Sequence, residues 1–152
     1  MFSFFRKRKE FFTAEEKRLI VDAIQQAEHR TSGEVRVFVE KRCRYVNAID
    51  RAIEIFENLQ MNKTALRNAV LIYVAIKDRQ LAFFGDEGIH KKLGNEYWAD
   101  KVVKMINAFN RDNCAAGIAE CVKDIGEALY KHFPYDNKTD KNELPDDIVF
   151  GS

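Results

Sequence analysis

Eight consecutive apolar residues, Ala69-Val70-Leu71-Ile72-Tyr73-Val74-Ala75-Ile76, constrain the fold of this chain more than any other feature. The run is rich in β-formers and too short for a typical helix, so it reads as a strand. A strand without a polar face has nothing to offer water and must be covered on both sides. The flanking sequence therefore has to supply two covers.

Lys77-Asp78-Arg79-Gln80 reads as a hairpin loop into a third strand over residues 81–84. Upstream, Val35, Val37 and Val39 alternate with Arg36, Phe38 and Glu40, the period of a first strand with one apolar face. Thr13 and Glu16 form a capping box, and Leu19, Ile20, Ala23, Ile24 and Ala27 recur at helical spacing, predicting a helix over 13–30 that Thr31-Ser32-Gly33 ends. A second helix is expected over 47–59, with Ile49, Ala52, Ile53, Phe56 and Leu59 on one side, followed by a loop over 61–68. A short helical turn is expected at 89–93. Trp98, Val102, Met105, Ile106 and Phe109 mark a third long helix, with Trp98 as core. Ile118, Val122, Ile125, Leu129 and Phe133 mark a fourth, stopped by Pro134.

A helix joins strands one and two, so the right-handed crossover rule makes them parallel neighbours; the hairpin sets strand three antiparallel on the other side of strand two. Four long helices cannot share one face of so small a sheet. The expected architecture is an α/β fold, a three-layer α/β/α sandwich around a small mixed sheet. It divides into a basic, aromatic arm over residues 1–12, the α/β/α domain over 13–134, and a tail over 135–152 whose Ile148-Val149-Phe150 packs as an extended arm.

The chain has 152 residues, the size of one domain, with 25 Lys plus Arg against 24 Asp plus Glu. This balance lacks the basic footprint of a nucleic-acid binder, so no nucleic-acid partner is expected. Cys43, Cys114 and Cys121 form no Cys-x-x-Cys pair and imply neither a disulfide framework nor a zinc ribbon. No signal peptide or membrane-length apolar run is seen, which points to a cytoplasmic monomer. Arg6-Lys7-Arg8-Lys9, set between phenylalanines, gives the arm of residues 1–12 the means of a peripheral membrane contact, with a frayed solvated terminus as the plainer reading.

In this topology the starts of strands one and two and the end of strand three share one edge of the sheet. That edge collects carboxylate, amide and hydroxyl oxygens, the hard ligands that calcium or magnesium takes. Glu34, Asn68, Asp86 and Glu87 are the expected metal ligands, and the expected cofactor is a divalent cation, calcium. Ser32, Arg67, Gly85 and Gly88 are the expected substrate contacts, with Arg67 as a bidentate phosphate donor. The alternative is that the glycines make turns, the acids are solvated, and Asp86 caps the helical turn. The opposite edge carries a second candidate cluster, Glu40, Asp50 and Asp78, among Arg42, Arg44, Arg51 and Arg79. Carboxyl ends of parallel strands are the general ligand edge of open α/β sheets, although ion pairing is the simpler account of these charges. No HExxH, GxSxG, P-loop or GxGxxG signature is present.

The succession Phe12-Thr13, Ala27-Glu28, Thr31-Ser32-Gly33-Glu34-Val35-Arg36-Val37, Arg67-Asn68 with the apolar run, Asp78-Arg79, Gly85-Asp86-Glu87-Gly88-Ile89 and Trp98 resembles the TPM domain family. Asn142-Glu143-Leu144-Pro145-Asp146 is similar to the tail of its short bacterial members. The resemblance implies an α/β/α sandwich, divalent-ion binding in some members, and an acid-phosphatase assignment resting largely on plant thylakoid relatives. Other relatives act as receptor modulators. The chain departs from secreted members at Arg67-Asn68, where they tend to show Asp-Asn or Asn-Asn, and at Gly85-Asp86, where they tend to show Val-Gly.

Three functional readings stand. The first is a binding or regulatory module that takes a divalent cation at the first edge. The second is a metal-assisted acid phosphatase acting on phosphomonoesters, with Arg67 clamping the ester. The third is an adaptor for an unidentified protein partner at the membrane surface.

Overall fold

A computed structural model describes residues 11–135 and 148–151. The apolar run is strand β2 (Ala69–Ala75), and every residue of it is buried. It pairs in parallel with β1 (Glu34–Glu40), Val37 beside Ile72, and antiparallel with β3 (Gln80–Gly85), Ile72 beside Phe83. A fourth strand, β4 (Ile148–Phe150), runs parallel to β1 on its far side, so the order is β3-β2-β1-β4. The segment expected as an extended arm is thus the edge of the sheet. Its residues satisfy backbone groups of β1 that would otherwise face water.

The helices divide between the faces. On one side lie α1 (Ala14–Arg30), α4 (Asn95–Asn110) and α5 (Cys114–His132), together with the short α3 (Glu87–Leu93). Their apolar stripes close over Val35, Val37, Val39, Val70, Ile72 and Val74. The capping box of Thr13 and Glu16 is present at α1. Helix α2 (Ala48–Asn58) covers the other face, where Ala52, Ile55 and Phe56 pack with Phe38, Leu71 and Tyr73, and Met61 from the following loop joins them. Trp98 is buried, and its Nε1 donates to His90 Nδ1 at 3.1 Å, so it belongs to the core.

Two expectations are corrected here. β1 is covered on both faces rather than one, with Phe38 and Glu40 both under 10% exposed. Glu40 tolerates burial because charged and hydroxyl partners come with it, as described below. In α2 the inward stripe is carried by Ala48, Ala52, Ile55 and Phe56, while Ile49 is 40% exposed. The sheet turns the helix by a fraction of a turn from the face that its sequence suggests.

Phe11 and Phe12 pack beside β4, with the Phe11 and Phe150 rings 6.0 Å apart. The basic cluster of the arm, and the tail motif at 142–146, lie outside the described residues. Among the described residues no helix is long and apolar enough to cross a membrane.

Candidate functional site

At the first edge, the register places Glu34 and Asp86 on either side of Ala69. Glu34 is its parallel partner, and Asp86 follows Gly85, the partner of Val70, with the Asp86 amide donating to Ala69 O at 2.9 Å. Strand spacing then separates the Glu34 and Asp86 backbones by about two spacings, roughly 10 Å. Strand alternation sends Asn68 toward the opposite face, where its Nδ2 donates to Ser32 Oγ at 3.3 Å. The four expected metal ligands therefore do not close on one point. Among the described residues no three His, Cys, Asp or Glu side chains are grouped to hold a metal ion.

Two of the four do converge, and they converge on a cation. Arg67 Nε donates to Asp86 Oδ2 at 2.7 Å and Nη2 to Asp86 Oδ1 at 2.9 Å, while Nη1 lies 3.1 Å from Glu87 Oε1. The hydrogen bonds to Asp86 raise the Arg67 pKa above its ordinary value. Asp86 is buried, Arg67 is 42% exposed and Glu87 more so, which puts the carboxylate at the floor and the guanidinium at the rim. Asp86 Oδ1 also accepts from the Glu87 amide at 2.8 Å, so Asp86 caps α3. Cap and ion pair are functions of one side chain.

The backbone brings Arg67 to this place. Its φ of 53° is left-handed, and its carbonyl accepts from the Gly88 amide at 2.8 Å. A Cβ at residue 88 would lie 2.6 Å from that carbonyl oxygen, closer than real contacts allow, so only glycine fits the approach. Ser32 is tied by its amide to Phe133 O at 3.0 Å, and Gly85 ends β3 against Trp98. Thr64, which the sequence did not single out, is buried and accepts from the Asn68 amide at 3.3 Å. The Asn68 Oδ1 atom is buried without a hydrogen-bond partner among the described residues.

The second edge is a cleft of about 570 Å³ at the carboxyl ends of β1 and β2, walled by the β1–α2 loop, the start of α2 and Asp78. Glu40, at its floor, receives Arg51 through both oxygens, at 2.9 and 3.0 Å, and Tyr73 Oη at 2.5 Å. Burial, then the bond to Glu40, pushes the Tyr73 pKa well above its ordinary value. Glu54 is held by Tyr45 Oη and Arg51 Nη1, which lower its pKa in that order. Asp78 accepts from Arg42 Nη1 at 3.0 Å and the Cys43 amide at 2.8 Å. Asp50 is exposed and stands apart from the cleft wall, and Arg79 turns toward Asp112 and Phe109 O. Glu40 and Asp78 are thus gathered, while Asp50 and Arg79 are not. Tyr45, Glu54 and Lys41 join the cleft unannounced, and Tyr73 underlies it through its bond to Glu40; the signal available was that Tyr73 is the one side chain of the apolar run that needs a polar partner when buried.

A family model described as the TPM domain matches residues 6–128. None of the curated proteins matches the chain. Among the solved structures, the NMR structure of the BA42 protein from the psychrophilic bacterium Bizionia argentinensis is similar over 95% of this chain and 99% of that one, at 41% identity and a TM-score of 0.85.

Proposed function

Because the chain belongs to the TPM domain family, we propose that it is a non-catalytic binding module whose first sheet edge takes a divalent cation, calcium, in exchange for its own Arg67. The observation behind this reading is the sharing of one guanidinium by two carboxylates, Asp86 and Glu87. A position that gathers two acids around positive charge suits a hard cation, since carboxylate oxygens are its preferred donors. Asp86 and Glu87 would hold the ion, with water supplying the remaining ligands. Glu34 and Asn68 stand too far round the sheet edge to join them without movement. The ion would supply a second positive charge where Arg67 supplies one, and the released Arg67 side chain would move into solvent.

Two protein carboxylates make a weak site, in the ~10⁻⁴ to 10⁻³ M range of low-charge calcium modules. Calorimetric titration of calcium into the full chain and into Arg67→Ala tests this. The variant has lost the competing cation and binds about tenfold tighter. Asp86→Asn with Glu87→Gln, added to Arg67→Ala, removes the heat. An Arg67→Ala protein that melts cooperatively and yet gives no saturable heat at millimolar calcium would sink the reading.

The phosphatase reading gains no support from this geometry. The Arg67 donors that it needs for a phosphoryl group are directed at Asp86 and Glu87.

A further inference from the structure

Ion pairing accounts for every acid that lines the second-edge cleft. Glu40 is matched by Arg51 and Tyr73, Glu54 by Arg51 and Tyr45, and Asp78 by Arg42 and a backbone amide. It does not account for the cations. Lys41 and Arg44 line the same cleft, are exposed, and make no ion pair among the described residues. Four cations face three committed acids there.

We propose that this cleft is a second binding site, for a small polyanion whose carboxylate or phosphate oxygens are received by Arg44 and Lys41. Three features favour it. The cleft stands outside the carboxyl ends of parallel β1 and β2, where open α/β sheets hold their ligands. Its volume of about 570 Å³ is that of a small-molecule site. Its floor is fixed by the Glu40–Arg51–Glu54 network, and the β1–α2 loop that carries the two uncommitted cations is tied down between them by Arg42 and the Cys43 amide on Asp78. The guanidinium fork of Arg44 matches either oxyanion, and Lys41 adds a point charge beside it. Tyr45, 39% exposed with its hydroxyl held by Glu54, presents a fixed ring edge against the body of such a ligand.

The test is a protein-observed NMR titration of the full chain with citrate in one arm and inorganic pyrophosphate in another, at constant ionic strength. Saturable shifts confined to residues 40–54 and Asp78 are expected in at least one arm, and the stronger arm distinguishes carboxylate from phosphate as the ligand chemistry. Lys41→Ala with Arg44→Ala, whose side chains carry no ion pair among the described residues, keeps the melting temperature and weakens binding by about tenfold or more. Arg44→Lys with Lys41 kept retains part of it. No saturable shift in either arm by about 10 mM, where even a feeble complex would register, overturns the proposal. So does binding unchanged in the double alanine variant, or the same shifts from sodium chloride alone.

Discussion

Tyr73 and Glu40 are diagonal neighbours on the α2 face of the parallel pair β1–β2, and the tyrosine hydroxyl donates to the carboxylate at 2.5 Å. Arg51 reaches the same carboxylate from α2. The three residues bind helix to sheet with a fully matched charge, which lets Glu40 be buried at the end of a strand.

The two partners of Glu40 are not equal. Tyr73→Phe removes one neutral donor and leaves the carboxylate paired, costing about 1 to 3 kcal/mol. Arg51→Ala leaves a buried carboxylate without its countercharge and costs about 3 to 5 kcal/mol. Urea unfolding of the two variants measures the order, and an Arg51→Ala protein no less stable than Tyr73→Phe contradicts the network.

Alkaline pH acts on buried acids held neutral. Burial raises the Cys114 thiol to about 12 and the Cys121 thiol to about 11, against 9.0 when free, and holds Tyr73 above its free value of 10.0. The folded chain keeps these protons after the unfolded chain has lost them. Their contribution is therefore complete below about pH 9 and is lost as pH rises toward the folded values. Denaturation midpoints fall from pH 9 to 11, and more gently in a Cys114→Ala, Cys121→Ala variant. Equal slopes in the two proteins reject this account.

Asp86 serves as a cap in the absence of any metal. Asp86→Ala in chelator-treated protein loses about 0.5 to 2 kcal/mol of stability, while Asp86→Asn, which still caps, loses less. Thermal melts decide it. A rise in melting temperature for Asp86→Asn would mean that its carboxylate is in excess charge, against the Arg67 contact.

Glycine is required at residues 88 and 94 for different reasons. At 88 a Cβ meets backbone oxygen, whereas at 94 it meets nothing within 4 Å and only a φ of 80° is unfavourable. Gly94→Ala costs about 1 to 3 kcal/mol, since φ 80° with ψ 172° is a conformation left almost entirely to glycine. Gly88→Ala is the more damaging, because backbone cannot yield as a side chain does. Parallel chemical denaturation of both variants reads the ranking directly.

Much of this arrangement is legible in sequence. The apolar run names the central strand, Thr13 and Glu16 name a helix start, and the crossover rule orders β1 and β2. Asp86 as a cap is also visible, from its place before the short helix. The partners of Glu40 are not, since Arg51 lies on the next helix and Tyr73 on the next strand, and local periodicity carries no information about either. For the same reason the alternation of Arg36, Phe38 and Glu40 suggests a solvated face that α2 in fact covers. Arg67 and Asp86 are each conspicuous as charged residues at one edge. Their mutual neutralisation depends on the left-handed backbone at Arg67, a property that an arginine codon does not advertise. Ile148-Val149-Phe150 is too short to be told from any apolar tail segment.

The pairing of β4 with β1 has a kinetic side. Helices α2 to α5 all lie between these two strands in the chain, so their ladder closes the longest loop in the sheet. Such contacts form late, because the entropy of closure is met only after shorter-range structure has assembled. Until then β1 presents a row of bare amides and carbonyls, the kind of edge along which another chain can align. The three residues of β4 thus act as a stopper, and the interval before they dock is when this protein is most exposed to self-association during refolding.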